Sequence, residues 1–156
     1  MKTISFDAVS IEAILAGKKT QTRRPLTKHI FVAGRFNVFD ELVPRWKVGD
    51  EAWAKTKRYE RRVDSPFNIR ITGHKVERVQ DISYRDVEAE GVDVVGNMPL
   101  VMNPAGNVIA LLDMVSKRLF RERWYGIYNI NSPYRWENNP LCEILVFEVF
   151  DIAAVQ

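Results

Sequence analysis

The chain has 156 residues, 46% apolar and 28% charged, a length and balance expected of one soluble globular domain (1–156) rather than a disordered chain. No apolar run approaches the roughly 18 residues needed to span a bilayer, which excludes an integral membrane protein. The net charge of +3 is uneven: residues 1–62 hold 14 Lys/Arg against seven Asp/Glu, and residues 63–156 hold nine against 13, so the basic half is either a solvated face or a seat for an anionic, phosphate-bearing partner.

The chain starts MKTISFDAVS, without an apolar h-region, so no secretory signal is expected. Thr3 to Phe6 alternates weakly and predicts a strand. Ser10 is placed as the cap of a short helix over Ile11–Ala16, with Ile11, Ile14 and Leu15 at helical spacing and Gly17 as its stop. Lys18 to Arg24 is polar and closes at Pro25, as either an irregular loop or an edge strand. Residues 26–46 lack a period and read as a long excursion with a short strand at His29–Val32. Val48-Gly49-Asp50 predicts a turn, and Glu51–Thr56 a strand. Asn68 to Val79 predicts a long strand kinked near Gly73. Ser83-x-x-Asp86 has the spacing of a capping box, followed by a short helix and a stop at Gly91. Residues 91–106 read as a loop. Val108, Leu111, Leu112, Val115, Leu119 and Trp124 recur at steps of three or four, predicting a helix over Asn107–Tyr128. Glu143–Ile152 alternates as a final strand. The sum is an α+β domain of mostly antiparallel strands and three helices, curved enough that a small closed barrel is one solution to its edges.

One cysteine, Cys142, and two histidines, His29 and His74, leave no internal disulfide and no zinc-ligand cluster. Cytoplasmic residence is the expectation, with no metal and no cofactor. Cys142 reads as a buried small hydrophobe and His74 as structural. Phe36, Phe39, Trp46, Trp53 and Tyr59 follow the basic segment. They are core residues for the most part, although one such ring can stack on a nucleobase.

The segment Gly17-Lys18-Lys19-Thr20-Gln21-Thr22-Arg23-Arg24 resembles the signature of the ASCH domain, a PUA-like β-barrel family linked to RNA, which runs G-x-K-x-x-E-x-R. Gly17, Lys19 and Arg24 match, and Thr22 stands where many members have Glu. That threonine form is similar to the branch that hydrolyses N4-acetylcytidine to cytidine and acetate. Trp46-Lys47-Val48-Gly49-Asp50 resembles the turn before the family's central strand, residues 82–92 its short acidic helix, and Trp136-Glu137-Asn138-Asn139-Pro140 the ending of phage and prophage members. The chain departs from relatives at Lys55-Thr56-Lys57, where an acidic residue is common, and in its insertions at 26–45 and 91–106.

The resemblance implies a small PUA-like barrel and a metal-free amidohydrolase of N4-acylated cytidine or a related modified nucleoside. Thr22 is then the nucleophile, Lys19 the base and Glu90 the acid. A threonine hydroxyl needs a neighbouring base. Lys19 serves as one only as a free amine, so its pKa must fall from about 10.4 toward 7–8. Three residues separate Lys19 from Thr22, which places them on opposite sides of a straight strand, so the chemistry requires an irregular backbone between them. Lys18, Arg23, Arg24 and Trp53 are the candidate contacts to substrate or RNA, with Arg24 suited to a phosphate or a pyrimidine carbonyl. The competing reading is an RNA-binding module without chemistry, in which Lys19 holds an anion and Thr22 bonds a base edge; a ribonuclease is a third. A modified nucleoside or RNA is the expected partner, with no membrane and no obligate protein partner.

Overall fold

A ten-residue run, Leu141–Phe150, forms the strand on which the sheet is built. The computed structural model describes residues 1–32, 35–57, 60–97 and 108–153, without the side chains at 29–32, 36–40 and 108–110. Its elements are β1 (Lys2–Ser5), α1 (Ala8–Leu15), β2 (Gln21–Pro25), β3 (Thr27–Val32), β4 (Arg35–Val43), β5 (Glu51–Lys55), β6 (Asn68–Arg78), α2 (Tyr84–Ala89), α3 (Val108–Ile127) and β7, the run already named. Five strands make one sheet in the order β1-β5-β6-β7-β2, and β3 and β4 make a separate pair. β1 lies parallel to β5; the other pairings of the large sheet are antiparallel.

The α+β class with three α-helices agrees with the sequence pattern. The sheet, however, is not closed into a barrel. Its order ends at β1 on one side and β2 on the other. A side chain spans the seam between these edges: the Arg24 guanidinium donates to the Ser5 carbonyl.

β7 is buried on both faces over Cys142–Leu145, where helices cover both. Leu145 and Phe147 pack with Ile4, Phe6, Phe67 and Ile14 of α1. Cys142 and Ile144 pack with Val87 of α2 and with Val115, Phe120 and Trp124 of α3. Burying each of the larger of these side chains contributes roughly 1.5–3 kcal/mol, which keeps β7 central whatever its edges do.

The short helices end where glycine takes a left-handed turn, at Gly17 (φ 72°) after α1 and Gly91 (φ 90°) after α2. The kink in β6 is a bulge between Ile71 and Gly73, where a Cβ would stand 3.2 Å from the Val146 Cβ. Two expectations need correction. α1 begins at Ala8 and its cap is Asp7, whose carboxylate accepts the Ser10 N–H at 2.8 Å. The Ser10 hydroxyl instead accepts a bond from Arg123. The excursion at 26–46 is largely the β3–β4 hairpin, with β3 starting at Thr27. A hairpin outside the main sheet need not carry the alternation that a strand lying on a core imposes. Of the loop expected at 91–106, residues 98–106 lie outside the described residues, as does Asn107, the expected start of the last helix.

α2 has only six residues and depends on its cap. The Ser83 hydroxyl accepts the Asp86 N–H while the Asp86 carboxylate accepts the Ser83 N–H. Ser83→Ala is expected to lower the unfolding free energy by about 1 kcal/mol, measured as a shift in the urea midpoint.

Candidate functional site

The chain leaves α1 through Gly17, and the Lys18 and Lys19 N–H groups both return to the Ala13 carbonyl, at 2.8 and 3.0 Å. Lys19 then pairs as an isolated antiparallel bridge with Glu90, at the C-terminal end of α2. The Thr20 N–H follows it, donating to the Ala89 carbonyl at 2.8 Å. The Thr20 carbonyl accepts the Phe147 N–H at 3.0 Å, and strand pairing with β7 as β2 runs from Gln21. This offset supplies the irregular backbone that the spacing of Lys19 and Thr22 demands, and both line one cavity. Gly91 permits the approach. A Cβ there would stand 3.0 Å from the Lys19 Cβ and 3.1 Å from the Ala13 Cβ, closer than packed carbons sit.

The cavity holds about 350 Å³, at the small end of the range usual for small-molecule sites. Lys19, Thr22 and Glu90 all line it, and each is 5% exposed. The Lys19 ammonium donates to Glu90 Oε2 at 2.9 Å and to the Glu90 carbonyl at 3.1 Å. Glu90 Oε1 is buried with no hydrogen-bond partner among the described residues. A wall of Phe6, Phe120, Trp124, Ile127 and Tyr128 faces these polar groups. Such a site offers an amine, an alcohol and a carboxyl oxygen in need of a donor, beside a surface that accepts a planar ring.

The remaining candidates separate. Arg24 lines the cavity; its guanidinium lies 5.2 Å from the Phe6 ring centre, and burial holds it below its ordinary pKa. Arg23 also borders the cavity, but its Nη2 is tied to Glu77 and, at 3.5 Å, to Asp86. It anchors β2 to β6 and α2. Lys18 is exposed and not part of the lining. Trp53 alternates with the buried Ala52 and Ala54 along β5, so it occupies the other face of that strand and does not line the cavity either. Trp46 is buried in the core. Phe36 and Phe39 have no described side chains, and Tyr59 lies outside the described residues.

Cys142 is fully buried, and burial pushes its thiol up to about 12, so it holds its proton and packs as a small hydrophobe. His74 Nε2 lies 3.0 Å from Glu143 Oε1 and does not line the cavity. Among the described residues no three His, Cys, Asp or Glu side chains stand close enough to hold a metal ion, and no helix is long and apolar enough to cross a membrane.

Sequence reasoning missed the far wall. Phe120, Trp124 and Tyr128 recur at steps of four, a pattern that reads as packing, and they serve both core and cavity. It also missed Arg123, which donates to Asp7 Oδ1 and Oδ2 at 3.0 and 3.2 Å and so ties α3 to the cap of α1 at the cavity's rim.

No family profile and no curated protein sequence matches the chain. Among solved structures, it is similar to a DUF984 protein from Enterococcus faecalis V583, with 19% identity and a TM-score of 0.49 over 97% of this chain and 78% of that one. It is also similar to an ASCH domain from Lactobacillus crispatus JV V101, with 17% identity and a TM-score of 0.48 over 94% of this chain and 79% of that one. Neither description names an activity.

The cap of α1 makes the fold's stability sensitive to acid. Burial raises the Asp7 pKa, but the Ser10 N–H and hydroxyl and the Arg123 guanidinium outweigh it and hold the carboxyl below its ordinary value. A depressed folded-state value contributes stability that is complete above the unfolded value, near 3.9, and is lost as pH falls through the lower folded one. Asp7→Asn is therefore expected to flatten the loss of thermal stability below about pH 4, read from melting temperatures between pH 7 and pH 3.

Proposed function

We propose that this protein is a metal-free amidohydrolase of N4-acylated cytidine or a closely related modified nucleoside. The observation that carries the reading is the enclosure of Lys19, Thr22 and Glu90 in one ring-sized cavity with apolar walls.

The Lys19–Glu90 pair resolves a conflict in the chemistry. A lysine base needs a free amine, and a carboxylate beside it favours the ammonium. When a bound ring excludes water, one proton passing from Lys19 Nζ to Glu90 replaces two charges with a neutral amine and a neutral acid, which a dry cavity favours. Lys19 Nζ then takes the Thr22 hydroxyl proton as Oγ1 attacks the acyl carbon. The C–N bond breaks, and N4 receives its proton from Glu90, releasing cytidine. Thr22 is left esterified, Lys19 charged and Glu90 ionised. The same proton transfer resets the pair. Water, deprotonated by Lys19, opens the ester, and Thr22 regains its proton from Glu90 as the acid product leaves. Amide and water become cytidine and acetic acid, which ionises in solution, with all three catalytic groups restored.

Binding of RNA without chemistry is the second reading. The observation favouring it is that Lys18, in the basic signature, is exposed and outside the cavity. Such binding weakens steeply with salt because it depends on counterion release.

The purified protein is expected to convert N4-acetylcytidine to cytidine and acetate. Lys19→Ala and Glu90→Gln should each lower kcat/KM by about a hundredfold or more. Thr22→Ala should abolish the acetyl adduct seen by intact mass after rapid quenching. A folded wild-type protein that leaves N4-acetylcytidine untouched contradicts the proposal.

A further inference from the structure

A second cavity, of about 400 Å³, adjoins the first along the seam between β1 and β2. The two share Ser5, Arg24 and Tyr128 as a common wall. The second is basic: Arg24, Arg45 and Lys55 line it. Among the described residues no carboxylate lies within ion-pairing distance of any of the three. The one acidic residue in the lining, Glu143, is already engaged, since its Oε1 accepts the Trp46 N–H at 2.9 Å and faces His74 Nε2 at 3.0 Å. Trp46, beneath the Arg45 guanidinium at 5.6 Å, holds that side chain over an aromatic floor.

Cations that line one cavity without a counter-charge repel one another until an anion joins them. Arg24 records the cost: burial and the like charge of Arg45 both lower its pKa, against the opposing pull of Tyr128, Glu90 and Asp7. Arg24 thus stands between the two cavities, with Glu90 in the lining of one and Arg45 in the lining of the other.

We infer that the second cavity is a phosphate subsite, so that the substrate is a phosphorylated cytidine, with its ring beside Lys19, Thr22 and Glu90 and its phosphate between Arg24, Arg45 and Lys55. The inference rests on the proposed function for the identity of the ring and on the cation cluster for the phosphate. A guanidinium fork suits phosphate oxygens, and Lys55 adds a point charge. Arg24, on the shared wall, reaches both parts of one ligand and couples recognition of the phosphate to placement of the base.

The test is equilibrium binding by calorimetry, which needs no turnover. Cytidine 5′-monophosphate is expected to bind the wild-type protein about tenfold more tightly than cytidine, and the advantage should shrink as salt rises. In the Arg45→Ala/Lys55→Ala double variant, shown to be folded by its melting curve, that advantage should disappear, as should competition by inorganic phosphate. Equal binding of nucleotide and nucleoside by wild type, or an advantage that survives in the double variant, overturns the subsite. If the nucleotide binds through Arg45 and Lys55 while N4-acetylcytidine and its monophosphate both resist hydrolysis, the subsite stands and the amidohydrolase reading fails. If N4-acetylcytidine is hydrolysed but the phosphate confers nothing, the reverse holds. A cytidine-containing trinucleotide separates the two sources of phosphate: tighter binding than the mononucleotide assigns the subsite to an RNA strand, and weaker binding assigns it to a free nucleotide.

Discussion

A lysine and a glutamate from distant parts of the chain meet in the protein's interior, and the local architecture is organised around keeping them there. Both are 5% exposed, and their side chains meet at 2.9 Å. Removing two charges from water costs several kcal/mol for each, so the pair persists only if its geometry and its additional hydrogen bonds are good. The surrounding chain supplies both. The Lys19–Glu90 bridge and the Thr20 bond to Ala89 lock the two backbones together, the Glu90 carbonyl provides a second acceptor, and Gly91 removes the one Cβ that would hold them apart. A buried ion pair is weak evidence for stability. In the function proposed above, the pair and its unpartnered carboxyl oxygen serve proton transfer.

The seam between β1 and β2 explains why the site lies where it does. Closing the sheet would satisfy both edges. Instead the edges stop short of pairing, Arg24 reaches across to Ser5, and two cavities open along the gap. An unclosed sheet and its two cavities are here one structural fact. The aromatic face of α3 covers one cavity, while Arg45 and Lys55 flank the other.

Much of this was legible from local chemistry. Gly17, Gly91 and the Ser83–Asp86 box are short-range signals whose meaning does not depend on the rest of the fold. The steps of three and four along α3 and the alternation of β7 reflect faces that must be buried in any arrangement. The cap of α1 was misplaced because Asp7 and Ser10 are comparable capping residues, and both side chains are engaged by Arg123, 113 residues beyond Ser10, a long-range contact that local spacing does not reveal. The same reason hid the far wall of the cavity and the engagement of Arg23 by Glu77 and Asp86. Lys18 and Trp53 belong to the right segments but face elsewhere, since strand parity and exposure are settled by tertiary pairing. The resemblance pointed to Lys19, Thr22 and Glu90, but that all three line one cavity is a long-range fact that spacing alone could not supply.

The most direct test of the account is a double-mutant cycle on the pair, using urea unfolding of Lys19→Met, Glu90→Gln and the combined variant. Each single change strands a buried group, at a cost of about 3 kcal/mol. The combined variant is expected to lose far less than the sum, because neither group is then left alone. Costs that simply add would mean that the two side chains do not depend on each other, and the buried couple at the centre of this structure would lose its physical basis.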